Sequence, residues 1–275
     1  RCNDGCIGRF FEGKTMRCAT NPSAGREGFF DFEPADVPKK VIVVGGGPAG
    51  METAMRAKQR GHLVSIIEKE NRLGGTVNVA TVPAGKTDLA DLVKWYKRQL
   101  VKLDVDIRLG TEVTNDLLKQ EDPDSVIFAM GATQSVPLIQ GINTARVVKA
   151  NDVILGREST ENIVAIIGAG LVGVETALYL SNFPEKDITL IEAKEAILGD
   201  VVSVNALAIK DKLEKTNIKI KTSTSVVQIT DDELMYVDRS AHYFNIPAET
   251  VVLAAGSAPV GGIEELTKGL SSEIL

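Results

Sequence analysis

Two glycine-rich turns carry the chemistry that this sequence offers. Gly45-Gly46-Gly47-Pro48-Ala49-Gly50 follows the apolar run Lys40-Val41-Ile42-Val43-Val44, and Gly168-Ala169-Gly170-Leu171-Val172-Gly173 follows Ile163-Val164-Ala165-Ile166-Ile167. In such a turn between a buried strand and a helix, the first glycine (Gly45, Gly168) permits the tight bend. The second (Gly47, Gly170) lets backbone approach a pyrophosphate, and the third (Gly50, Gly173) lets the helix pack close on the strand with its N-terminus facing the anion. The next strand of each unit ends in an acid placed to hydrogen-bond a ribose: Glu68 after Leu63-Val64-Ser65-Ile66-Ile67, and Glu192 after Ile188-Thr189-Leu190-Ile191, each roughly 20 residues beyond its first glycine. One glycine turn alone also arises for packing. Two complete units in the same order imply two dinucleotide sites.

The three cysteines, Cys2, Cys6 and Cys18, fall within the first 18 residues of a 275-residue chain. An odd number argues against a disulfide framework, and the spacing suits an iron–sulfur site better than zinc, with reduced surface thiols as the alternative. The charge balance, 31 Lys+Arg against 37 Asp+Glu and a net charge of −6, leaves no basic field for nucleic acid or an anionic membrane. No apolar run approaches the roughly 20 residues that span a bilayer. A cytoplasmic α/β protein is expected, and His62 and His242 read as structural. The chain starts at Arg1, which suggests a piece of something longer.

These residues need elements to hold them. A strand at 41–44, a helix at 49–60 and a strand at 63–68 open the first unit, and Leu73-Gly74-Gly75-Thr76 is expected to turn close to the cofactor. A helix follows at 88–103, with Trp95 in core or interface, then strands at 105–109 and 125–129, the latter running into Ala129-Met130-Gly131-Ala132. The chain leaves the first domain near Val136-Pro137. The second unit repeats the order with a helix at 171–182, a strand at 188–192 and a helix at 203–216. Short strands at 217–221, 225–230, 233–238 and 241–246 suit an antiparallel meander. The run 250–256 echoes the one ending at Gly131 and implies a return to the first domain. The expected fold is therefore α/β: two Rossmann-like nucleotide-binding domains, the second inserted into the first, with a small antiparallel β-meander. The boundaries are 1–35 for the cysteine segment and linker, 36–137 plus 255–275 for the first domain and 138–254 for the second. Two nucleotides face to face are what hydride transfer requires.

Cys2-Asn3-x-x-Cys6, then Cys18-x-x-Asn21-Pro22, together with the two glycine turns, resembles the flavin and pyridine-nucleotide part of the 2,4-dienoyl-CoA reductase, 2-enoate reductase and NADH:flavin oxidoreductase family. The resemblance spans the whole chain. It implies that Cys2, Cys6 and Cys18 are three ligands of a 4Fe-4S cluster whose first cysteine would precede this chain. It implies an FAD site at Gly45, Gly47, Pro48, Ala49, Gly50, Glu68, Lys69, Gly74, Gly75, Thr76, Val113, Ala129 and Gly131. For NAD(H), in preference to NADP(H), it implies Gly168, Gly170, Leu171, Val172, Gly173, Glu192 and Gly256. The family also has an N-terminal barrel that carries FMN and the substrate, which would be this chain's partner, and a Gly-Asp segment that closes the FAD site. Neither occurs here, so the chain is expected to hold FAD weakly and to leave the physiological substrate untouched; with three ligands and Cys2 next to the terminus, it is also expected to carry no intact cluster.

On this resemblance the chain is an electron-entry module, passing hydride from NADH to FAD and onward through the cluster to FMN, where an activated C=C bond is reduced. No residue of the chain is itself assigned as catalytic, and a homo-oligomer is left open. Three other functions compete. A disulfide reductase would need cysteines where Val77 follows Thr76 directly and where Thr81 stands. The NAD(P)H-oxidising subunit of a glutamate synthase-like enzyme also places cysteines ahead of an FAD domain. A nucleotide-holding scaffold without turnover is the third.

Overall fold

The computed structural model describes residues 2–30, 33–83, 85–144 and 146–275. Arg1, Asp31 and Phe32 of the cysteine segment, and Ala84 and Ala145, lie outside the described residues. The cysteine segment holds a π-helical turn at Asp4–Gly8, a short α1 (Arg9–Phe11) and a 3-10 turn at Glu27–Phe29. The first unit follows with β1 (Lys40–Val44), α2 (Pro48–Gln59), β2 (Leu63–Ile67), α3 (Val77–Ala80), α4 (Leu89–Lys102), β3 (Asp106–Arg108), α5 (Asn115–Glu121) and β4 (Ser125–Phe128). After β5 (Ala132–Gln134) come β6 (Val147–Lys149), α6 (Ala150–Ile154), β7 (Ile163–Ile167), α7 (Leu171–Leu180), β8 (Asp187–Ile191), α8 (Ser203–Leu213) and β9 (Lys219–Lys221). The chain then runs through β10 (Thr224–Ile229), β11 (Glu233–Asp238), β12 (Tyr243–Pro247), β13 (Thr250–Leu253), β14 (Ser257–Pro259), α9 (Ile263–Leu266) and β15 (Glu273–Ile274).

Two five-stranded sheets organise these elements, in the orders β15-β4-β1-β2-β3 and β6-β13-β7-β8-β9. Every pairing in them is parallel. Parallel strands are covered on both faces, so the central ones read as continuous apolar runs: in both β1 and β7 four consecutive residues are buried behind one partly exposed leader. On the first sheet, Met51, Ala54 and Met55 of α2 pack with Val93, Tyr96 and Leu100 of α4 over one face, while Leu118 of α5 joins Ile42, Val44 and Val126 on the other. On the second sheet, Val174 and Ala177 of α7 cover one face. Ile229, Leu234 and Tyr236 of the meander close the other.

Sheet membership differs from the sequence-based expectation in three places. The run 217–221 contributes β9 to the parallel second sheet, so the meander is β10-β11-β12 alone. The run 250–256 is β13 only to Leu253 and lies inside the second sheet between β6 and β7. Its likeness to the run ending at Gly131 is one of position, because β4 flanks β1 on the side away from β2, as β13 flanks β7 on the side away from β8. The chain rejoins the first sheet afterwards, through β15 on β4. The third difference is the set of short elements that occur where none was expected: α1, α3, α5, β5, β6, α6, β14, α9 and β15.

Candidate nucleotide-binding clefts

Both glycine turns are built alike. Gly45 and Gly168 take φ of +108° and +100°, and a Cβ on either would overlap a backbone carbonyl of the flanking strand's exit, that of Ala129 or Ala254. A Cβ on Gly50 or Gly173 would strike the carbonyl oxygen of Gly45 or Gly168, so the third glycine lets the helix begin directly against the turn. Gly47 has nothing within 4 Å of the position a Cβ would fill. Beside that open face α2 begins, with no side chain capping its N-terminus and Pro48 in its first turn. Free N–H groups and a bare backbone face make an anion cradle, which fits the pyrophosphate of a dinucleotide. The α7 N-terminus is likewise uncapped.

Each acidic residue anchors its own glycine turn. The Gly46 N–H donates to Glu68 Oε2 at 2.6 Å and the Glu70 N–H to Oε1 at 2.8 Å. In the second unit the Ala169 N–H donates to Glu192 Oε2 at 2.7 Å and the Lys194 N–H to Oε1 at 2.8 Å. Each carboxylate oxygen keeps accepting capacity for a ribose hydroxyl. Glu68 is buried, whereas Glu192 is partly exposed.

A loop after each acid folds back over the turn. The Gly74 N–H donates to the Gly46 carbonyl and the Leu198 N–H to the Ala169 carbonyl, both at 2.9 Å. Leu73 and Leu198 are both buried beneath these loops. What then stands over the second glycine differs. In the first unit it is backbone, with a Cβ on Gly75 only 3.1 Å from the Gly47 Cα; in the second it is a carboxylate, Asp200 Oδ1 lying 3.7 Å from the Cβ position of Gly170. Sequence reading missed Asp200, which lies outside the glycine pattern and follows no spacing rule from it.

A cleft of 690 Å³ opens at the second turn. Its walls include Gly168, Gly170, Leu171, Val172, Glu192, Asp200 and Gly256. Thr76, from the loop over the first turn, lines the same cleft. Of the remaining expected residues, Gly173 is buried where α7 meets β7, Lys69 is exposed beside Glu68, Pro48 and Ala49 open α2, and Gly131 is exposed beyond β4. Val113 packs into the apolar cluster around Leu118, which also holds Val44 and Ile67, the residues that precede Gly45 and Glu68. The Lys39 N–H donates to His62 Nδ1, and burial lowers that imidazole's pKa, so His62 closes the entry to β1.

The cysteines stand apart from both turns. All three are free thiols, and among the described residues no group of three or more His, Cys, Asp or Glu is placed to hold a metal ion. The donor set thus does not fit a four-iron cluster, and no electron-transfer step is assigned to one. Cys18 lies 3.2 Å from the Thr20 hydroxyl, and that contact with neighbouring backbone N–H groups lowers its thiol pKa. Cys2 and Asn3 are tied to the second unit instead: Asn205 donates to the Cys2 carbonyl at 2.6 Å and accepts from Asn3 at 3.0 Å. No helix among the described residues is long and apolar enough to cross a membrane.

Comparison with known proteins agrees with this construction. The profile of the pyridine nucleotide-disulphide oxidoreductases matches residues 39–267. The chain is 37% identical to an NADH oxidase of Thermoanaerobacter brockii over 99% of its own length and 42% of the relative's. It is 36% identical to a cinnamate reductase of Clostridium sporogenes, over 93% of this chain and 38% of that one. The structure of a 2-naphthoyl-CoA reductase superposes with a TM-score of 0.93 at 33% identity, covering 99% of this chain and 42% of the other. The chain thus spans well under half the length of these relatives. Paired glycine turns, each anchored by a glutamate, and a match over most of the chain have one reading: it belongs to the pyridine nucleotide-disulphide oxidoreductase family and corresponds to the FAD/NAD portion of the enoate and dienoyl-CoA reductases.

Proposed function

We propose that this chain is the NADH-oxidising flavin module of a larger reductase. The first cradle, Gly45, Gly47, Gly50, Glu68, Gly75 and Gly131, would hold FAD, and the second, Gly168, Gly170, Gly173, Glu192 and Gly256, would hold NADH. The domain division 36–137 plus 255–275 against 138–254 belongs to the same proposal. The observation that carries it is Thr76: a residue of the first unit's loop lines the second unit's cleft, so nucleotides in the two sites would meet across it. When bound, FAD supplies a ring that accepts a hydride. The chain's own residues bind and orient. The uncapped starts of α2 and α7 receive the pyrophosphates, and Glu68 and Glu192 fix the riboses. Glu192 would favour NADH, because a 2′-phosphate beside it meets like charge; the cleft's walls hold no arginine, and Lys194, which lines them, would offset that charge only in part.

The acceptor side is proposed from relatives alone. A companion domain carrying FMN would reduce an activated C=C bond, in keeping with the cinnamate reductase and 2-naphthoyl-CoA reductase among them. Disulfide chemistry is disfavoured, because α3 and its flank present Val77 and Thr81 rather than a dithiol. Anaerobic titration of the FAD-supplemented chain with NADH tests the reading. Bleaching of the flavin absorption is expected, and a flavin that binds but stays oxidised would leave only a nucleotide-holding scaffold.

A further inference from the structure

We propose that Asp200 makes the second nucleotide the exchangeable one, by placing a fixed negative charge where the first unit presents neutral backbone. This rests on the second cleft being a dinucleotide site. The two loops are superimposable in their bonding: an amide, of Gly74 or Leu198, donates to the carbonyl that follows the first glycine. Two residues beyond that amide stands Thr76 in one unit and Asp200 in the other. Asp200 lines the cleft, with its carboxylate oxygens 3.7 and 3.8 Å from the Cβ position of Gly170, the glycine whose bare face a pyrophosphate must approach.

The charge is held there. Among the described residues no cation forms an ion pair with Asp200; the one basic side chain among the cleft's walls is Lys194. The Val201 N–H closes a turn onto the Leu198 carbonyl at 3.1 Å. Val202 packs so tightly on Gly8 that a Cβ there would come within 2.7 Å of it, and Asn205 is tied to Cys2 and Asn3. The cysteine segment therefore braces the loop from outside and keeps the Asp200 backbone beside the cleft. The uncapped N-terminus of α7 attracts the pyrophosphate and Asp200 opposes it, which lowers affinity for every nucleotide that carries the diphosphate without discriminating at the adenosine ribose. The first site has the attraction without a carboxylate at the matching place, where Thr76 stands.

Equilibrium binding of NADH, NADPH, ADP-ribose and adenosine to the full chain and to Asp200→Asn tests this. Asp200 is exposed, so the isosteric change leaves the core intact. Removing one unit charge about 5 Å from a diphosphate should tighten NADH, NADPH and ADP-ribose alike by about three- to ten-fold at low salt. The gain should shrink towards about 1 M salt, where the screening length falls to ~3 Å. Adenosine, which lacks the diphosphate, should not respond. The mirror variant, Thr76→Asp, should speed loss of FAD on dialysis. Unchanged or weaker NADH binding by Asp200→Asn would overturn the proposal, as would an effect confined to the NADH:NADPH ratio, which would make Asp200 a reader of the adenosine ribose. If the unmodified chain bound neither NADH nor ADP-ribose, the nucleotide reading of the second cleft would fall first and this inference with it; binding without the Asp200 response removes this inference alone.

Discussion

The two nucleotide units are near copies in register and differ at their margins. β1 pairs with β2 from Lys40↔Leu63 to Val44↔Ile67, and β7 with β8 from Ile163↔Asp187 to Ile167↔Ile191, five rungs each. Yet Glu68 is buried and roofed by neutral backbone, while Glu192 is partly open and faces a cleft with a second carboxylate. The glycine turn is the invariable part, since it must satisfy the geometry of strand, bend and helix at once. On the proposed reading, how tightly a nucleotide is held is left to the loop that folds over it.

The largest effect should separate fold from binding within one turn. Gly45→Ala combines a φ of +108° with a Cβ driven into the Ala129 carbonyl, and a loss of more than about 2 kcal/mol is expected in denaturant melts. Gly47→Ala, at an ordinary extended φ of −72° with open space ahead, should change stability by less than about 0.5 kcal/mol and yet cost most of the FAD affinity. Equal destabilisation by the two would refute the cradle.

Next come the anchoring glutamates. Glu68→Gln replaces a buried carboxylate that accepts two short N–H bonds and should cost about 1.5–3 kcal/mol. Glu192→Gln, partly solvated, should cost less in the same melts. On the coenzyme side, Glu192→Ser is expected to cut the preference for NADH over NADPH by about ten-fold in kcat/KM for flavin reduction. An unchanged ratio would place the ribose elsewhere.

Acid should then distinguish the units more gently. Glu121 is bound by the Arg108 guanidinium at 2.5 Å and by Lys40 at 3.1 Å, and both hold its carboxyl below the ordinary value of 4.5. A carboxylate with a depressed folded pKa contributes stability in full above the unfolded pKa and loses it as pH falls through the folded one. The first unit should therefore lose a stabilising contribution below about pH 4.5 that Glu121→Gln abolishes, read from melting temperature against pH. The Lys219–Asp187 pair at the edge of the second sheet is exposed on both partners, and Asp187→Asn should shift stability by less than about 0.5 kcal/mol.

The parts legible in the sequence were those fixed by local geometry. Gly45, Gly50, Gly168 and Gly173 declare themselves because a side chain at any of them would strike backbone, and Glu68 and Glu192 follow at a fixed strand's length. The helix over 88–103 was legible from periodicity and was found at Leu89–Lys102, but Trp95, expected in core or interface, is exposed on that helix with its ring edge-on to Tyr96. Illegible were elements defined by distant partners. β6 is three residues long and exists because β13, about a hundred residues later, pairs with it. β15 is two residues that have meaning only against β4. Asp200 escaped for the same reason: its relation to Gly170 is created by the fold of the loop after β8. The cysteines were the converse case, a local spacing that the described structure does not gather into a metal-holding group.

β5 and β14, the two passages between the sheets, run antiparallel side by side, with Ala132 opposite Pro259 and Gln134 opposite Ser257. To the first unit, everything from β6 to β13 is therefore a loop whose ends are already joined. Closing a loop costs entropy that grows only with the logarithm of its length, and here the ribbon sets that closure at three rungs regardless of what lies beyond. The second unit could lengthen, shorten or exchange its surface loops with little effect on the folding of its host.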